Sequence, residues 1–69
     1  MSVAKVIEVS AESPDGFEQA IREAIARASK TVQNIQGGWV KEQKIVVREG
    51  RVTAFRVDMK VTFLLKGNP

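Results

Sequence analysis

The chain has 69 residues, with eleven Lys and Arg against eight Asp and Glu for a net charge of +3. It contains neither Cys nor His. That excludes disulfides, thiolate and imidazole metal ligands, and cysteine or histidine acid–base and nucleophilic chemistry. A single domain spanning residues 1–69 buries only about 60% of its unfolded surface. Ordering costs roughly 1.5 kcal/mol per residue, so a core of this size comes out near zero net. Association between copies is the remedy left, and an oligomer is expected. The basic residues are scattered, so no nucleic-acid stripe is formed. No apolar run approaches the roughly 20 residues of a membrane span. Met1 to Ser10 carries charges and is too short for a secretory signal, which points to the cytoplasm.

Val3 to Val9 is short and β-branched and predicts a strand. Ser10 to Pro14 is polar turn material. A helix is predicted from Ser13 to Ile35, with Ser13 as cap, Pro14 at the first helical position and Asp15 against the positive end of the dipole. Phe17, Ala20, Ile21, Ala24, Ile25, Ala28, Val32 and Ile35 recur at three- and four-residue steps, one apolar stripe. Glu18 with Arg22, and Glu23 with Arg27, stand at i, i+4 on the other face. Gly37-Gly38 reads as the helix stop, with a ligand contact as the alternative. Trp39 to Arg48 predicts a second strand, Glu49-Gly50 a tight turn, and Arg51 to Lys66 a third strand. Val57, Met59, Val61, Phe63 and Leu65 give that strand a dry face; Arg56, Asp58, Lys60 and Thr62 give it a wet one. Gly67 to Pro69 reads as a frayed end. The fold class is α+β, in the order β-α-β-β, with a three-stranded antiparallel sheet folded over one helix.

A two-residue turn at Glu49-Gly50 makes opposed residues of the hairpin sum to 99. Val40 then faces Met59 on the dry side, while Trp39 faces Lys60, Lys41 faces Asp58 and Gln43 faces Arg56 on the wet side. The same register puts Glu42 on the dry side opposite Val57. Three readings of that carboxylate stay open: a bulge or edge exit to water, a buried partner for a neighbouring subunit's Arg, or an oxygen ligand for a hard cation. Trp39 is the one tryptophan. It either packs between subunits or stacks on an aromatic ligand. Arg56 and Gln43 either hydrogen-bond a planar polar ring or form a solvated cross-strand pair. Glu8, Glu42, Glu49 and Asp58 show no motif spacing for acid–base work, and no phosphate loop is present. The chain is expected not to be an enzyme.

SPDGF, then AI-x-x-AIARA-x-x-T-V over Ala20 to Val32, and V-x-M-K-V-x-F-x-L over Val57 to Leu65, resemble the dodecins. The resemblance runs from about Val3 to Lys66. It implies a small cytosolic protein of bacteria or archaea whose twelve subunits form a hollow shell, helices outward and sheets inward. It further implies storage without catalytic turnover, with flavin (riboflavin or FMN) held in pairs between tryptophans at two-fold axes. Some dodecins also bind coenzyme A, and some calcium or magnesium, for which Glu42 and Asp58 are the candidate ligands here. Flavin-binding dodecins carry a Trp at the start of the second strand and a Gln, in a Tyr-Gln-like pair, on the third. Aligned to them, Gly37 takes the Trp position and Phe55-Arg56 the Tyr-Gln pair. Trp39 lies two residues further along, on the same face and displaced by roughly 6.5–7 Å. The candidate flavin residues are therefore Trp39, Arg56, Gln43 and Gly37.

Overall fold

A computed structural model describes residues 3–65. The chain runs β1 (Val3–Ser13), α1 (Phe17–Ala28), β2 (Ile35–Arg48) and β3 (Arg51–Leu65). The three strands form one antiparallel sheet in the order β1-β3-β2. The expected β-α-β-β arrangement of three strands over a helix is thus observed. Lys66 of the predicted third strand, and the end from Gly67 to Pro69, lie outside the described residues.

The core forms where the dry face of β3 meets the stripe of α1. Val57, Met59 and Val61 are buried against Ala20 and Ala24. The alanines present almost no side chain, so the helix axis settles close to the sheet. Ile7, Val9 and Ala11 of β1 and Phe17, Ile21 and Ile25 of α1 complete the layer, half-buried. Phe17 heads the stripe and meets Phe55 edge to face, with ring centroids 5.1 Å apart. Of the two helical ion pairs expected, Arg22 Nε reaches Glu18 Oε2 at 3.1 Å.

Both ends of the helix differ from expectation. β1 continues through the predicted turn as far as Ser13, which is buried. Its hydroxyl accepts the Asp15 N–H at 3.1 Å, so it closes a turn before the helix. Gly16, not Ser13, occupies the cap position, and Pro14 precedes the helix. The helix stops at Ala28, seven residues short of Ile35. There the Ser29 hydroxyl donates to the Ile25 carbonyl at 2.7 Å, and the Lys30 and Thr31 N–H groups bond three residues back. Asn34 then takes a φ of 63° and reverses the chain. Its carbonyl accepts the Leu64 N–H at 3.1 Å, which starts β2 against β3 at Ile35. Val32 and Ile35 therefore continue the helical spacing without belonging to the helix.

Glu49 and Gly50 carry φ of 51° and 76°, the two positive values of a primed hairpin turn. The glycine pair read as a helix stop lies inside β2. Gly38 stands opposite Val61, where a Cβ would run into the Lys60 carbonyl oxygen; above Gly37 nothing lies within 4 Å. Gly38→Ala is therefore expected to destabilise the protein by about 1–3 kcal/mol, as overpacking does. Gly37→Ala should stay within about 0.5 kcal/mol. Denaturant unfolding of the two variants checks the assignment, and equal effects would refute it.

Candidate functional site

The helix covers β1 and β3 on one side of the sheet. The other side carries the even-numbered residues of β3 and is open. Pairing of β1 with β3, and of β3 with β2, sorts this open face into rungs across the sheet. They read Val6–Thr62–Gly37, Glu8–Lys60–Trp39, Ser10–Asp58–Glu42 and Glu12–Arg56–Lys44. Adjacent strands are about 4.8 Å apart, so each rung brings three side chains within mutual reach.

The register of β2 shifts between Ile35 and Gly37, between Val40 and Glu42, and between Val46 and Val47, and the middle shift reorders the open face. Val40 pairs with Met59 and Trp39 with Lys60, as predicted, but Lys41 is an extra residue and Glu42 pairs with Asp58. A β-bulge is responsible, and a second irregularity between Val46 and Val47 restores the original register before the turn. Three expectations are corrected by this single insertion. Lys41 does not pair with Asp58. Glu42 leaves the dry side and joins Asp58 on the open face, as the bulge reading allowed. Gln43 pairs with Val57 and Lys44 with Arg56, so Gln43 turns to the helix side and is separated from Arg56. A period-two count cannot register an inserted residue, which is why every rung between the two irregularities was displaced.

Trp39 stands 51% exposed on the open face, with the uncovered space above Gly37 two residues away on the same side. Each charged rung is held by a cross-sheet contact. Arg56 donates from Nη2 and Nε to Glu12 Oε1 at 3.0 and 3.2 Å. The Ser10 hydroxyl donates to Asp58 Oδ1 at 2.7 Å. Lys41 Nζ and Lys60 Nζ both approach Glu8 Oε1, at 3.4 and 3.8 Å. Exposed pairs of this kind are each worth about 0–1 kcal/mol, so their partners exchange readily for a ligand. Among the described residues no three His, Cys, Asp or Glu side chains come together as a metal cage. Glu42 and Asp58 supply two carboxylates side by side.

The sequence pattern ends the first strand at Val9 and leaves Ser10 and Glu12 in the turn, whereas β1 runs on to Ser13 and carries both onto the open face. Val9, Ala11 and Ser13 alternate with Ser10 and Glu12, and that alternation was the available signal.

A one-helix, three-stranded protomer with one dry and one charged, open sheet face belongs to a class of small oligomeric binding proteins. The family model described as Dodecin matches residues 3–66, and the chain belongs to that family. It is 36% identical over 66 residues to the calcium dodecin of Mycobacterium tuberculosis, covering 96% of this chain and 93% of that one. It is 36% identical over 64 residues to the dodecin of Thermus thermophilus, covering 93% of each. The solved dodecin from Streptomyces davaonensis superimposes with a TM-score of 0.91 at 35% identity, over 96% of this chain and 97% of that one. The structure of the M. tuberculosis protein, described as calcium-chelating with a novel calcium-binding site, gives a TM-score of 0.80 at 35% identity. That superposition covers 99% of this chain and 97% of that one.

Proposed function

We propose that the protein is a cytoplasmic homododecamer, built from single-domain protomers, that sequesters flavin (riboflavin or FMN) without turning it over. The observation that carries the ligand reading is the exposed Trp39 beside the empty space over Gly37. An indole on a sheet face, with no side chain on its Gly37 flank, offers a planar ring one wall to stack on and a floor to lie over. Trp39 is the stacking residue. Arg56, once released from Glu12, supplies donors to a carbonyl-bearing ring edge of a ligand shared with a second copy. Gln43, on the helix side, takes no part.

Assembly is supported by the shape of the protomer. Its radius of gyration is 14.5 Å, against about 11 Å for a compact chain of this length. Its accessible surface is 5356 Å², against about 4,300 Å² for a compact chain of this mass. Among the described residues eight large apolar side chains are exposed, including Val40, Ile45, Val47 and Val52 on the β2–β3 hairpin. That much apolar surface marks contacts with like copies. Light scattering after size exclusion should return about twelve times the chain mass; a stable monomer at micromolar concentration would sink the proposal.

Titration with riboflavin should quench both flavin and tryptophan fluorescence, and Trp39→Ala should abolish binding. An unquenched titration of the wild-type protein would refute the flavin reading.

A second reading rests on the bulge at Lys41, which sets Glu42 directly opposite Asp58. Opposed carboxylates repel, and a hard cation such as calcium or magnesium relieves them with oxygen ligands. Water or a second copy would complete the coordination, and the Ser10 hydroxyl positions Asp58. Calorimetric titration with calcium should show binding that Glu42→Gln and Asp58→Asn each remove. Unchanged heats in both variants would place any calcium elsewhere.

A further inference from the structure

The guanidinium of Arg56 is already occupied. It donates from Nε and Nη2 to one and the same oxygen of Glu12, at 3.2 and 3.0 Å. Among the described residues Glu12 is the one carboxylate within ion-pair distance of Arg56. Asp58, two residues along the same face of β3, is engaged instead by the Ser10 hydroxyl. On its other side Arg56 faces Lys44, for which the described residues supply no ion-pair partner. Like charges directly opposite repel, so the guanidinium is pushed towards β1 as well as drawn to it.

Glu12 stands there because β1 is longer than its apolar pattern suggests. Ser13, buried and bonded to the Asp15 N–H, ends the strand and fixes Glu12 opposite Arg56. With Ser10 and Asp58 the pair lines a recess of about 300 Å³ on the open face. Both side chains keep about half of their surface in solvent, 51% for Arg56 and 45% for Glu12. A pair so exposed opens at small cost. Yet a carboxylate is a stronger partner for a guanidinium than a neutral ring carbonyl, by roughly a factor of two per hydrogen bond. A neutral ligand therefore has to displace Glu12 before it gains Arg56.

We propose that Glu12 is a latch on Arg56: it competes with the ligand's ring edge for the guanidinium and so lowers affinity. This rests on the flavin reading above and gives a regulating role to a residue that itself touches no ligand. The latch lies two rungs from Trp39, about 13 Å along β3, so it can be altered with the stacking surface intact.

The test titrates the ligand-free oligomer with riboflavin, which is neutral, and follows fluorescence quenching. Glu12→Gln should bind about three- to fivefold tighter than the wild type, within what one exposed ion pair allows. Arg56→Gln should bind more weakly, and adding Glu12→Gln to it should change nothing further, because no guanidinium is left to hold. A purely structural Glu12 would act alike in both backgrounds. At 1 M salt the gap between wild type and Glu12→Gln should narrow, as the screening length falls from about 10 Å at 0.1 M to about 3 Å. Glu49→Gln, which removes the same charge at the hairpin turn, should bind like the wild type. Without any ligand, the Arg56 Nε–H should exchange with solvent faster in Glu12→Gln, which reads the latch directly by NMR. Glu12→Gln binding no tighter than the wild type, an equal gain in the Arg56→Gln background, or unchanged Nε–H exchange overturns the latch. If Trp39→Ala still abolishes quenching in that case, the flavin reading stands without it. Quenching in neither the wild type nor Glu12→Gln overturns both.

Discussion

Everything in the protomer depends on the contact between Ala20 and Ala24 of α1 and Val57 and Val61 of β3. These four are buried almost completely, and with Met59 they make the buried core cluster of the described residues. Two methyl groups on the helix let it sit close enough for one strand to seal it. Because the central strand β3 supplies the seal, β1 and β2 are held at its two edges, and the face away from the helix is left open. A larger side chain at Ala20 or Ala24 would lift the helix and loosen the one layer that excludes water.

The same economy explains why the surface is as it is. One twelve-residue helix cannot cover a hairpin of strands 14 and 15 residues long. β2 and the hairpin end extend past it, leaving Val40, Ile45, Val47 and Val52 in solvent. In a chain without disulfides or a thiolate metal site, burying this surface against other copies is the route by which the fold gains what its own core lacks. Oligomerisation and the exposure of the candidate site thus have one origin: a helix that covers two strands of three.

On the open face the bulge at Lys41 has the largest chemical consequence. It adds one residue to β2 and thereby moves Glu42 from the dry side to the open face, where Lys41 also stands. Lys41 Nζ reaches Glu8 Oε1 at 3.4 Å, and Glu42 joins Asp58 to make an acidic rung. Gly38, pressed against the backbone of β3, and Gly37, open above, show that adjacent glycines in one strand do opposite work.

The order β-α-β-β, the dry face of β3, the Glu49-Gly50 turn and the pairing of Trp39 with Lys60 were all determined by the sequence. Each follows from a local regularity: apolar spacing of two or of three to four, and a turn whose backbone demands positive φ. The family was legible for the same reason, since its helix and third strand are continuous segments. The helix end was not, because Val32 and Ile35 keep the helical spacing while Asn34, in the left-handed region and bonded to Leu64, turns the chain into the sheet. Nor was the extension of β1, where Ser10 and Glu12 read as turn residues until pairing with Asp58 and Arg56 made them part of a strand. The bulge was legible only as one of three explanations for Glu42. Where a residue is inserted into a ladder depends on how two distant strands fit around a common core, and that fit is set by tertiary packing. It alone decided which charges meet on the face that carries Trp39.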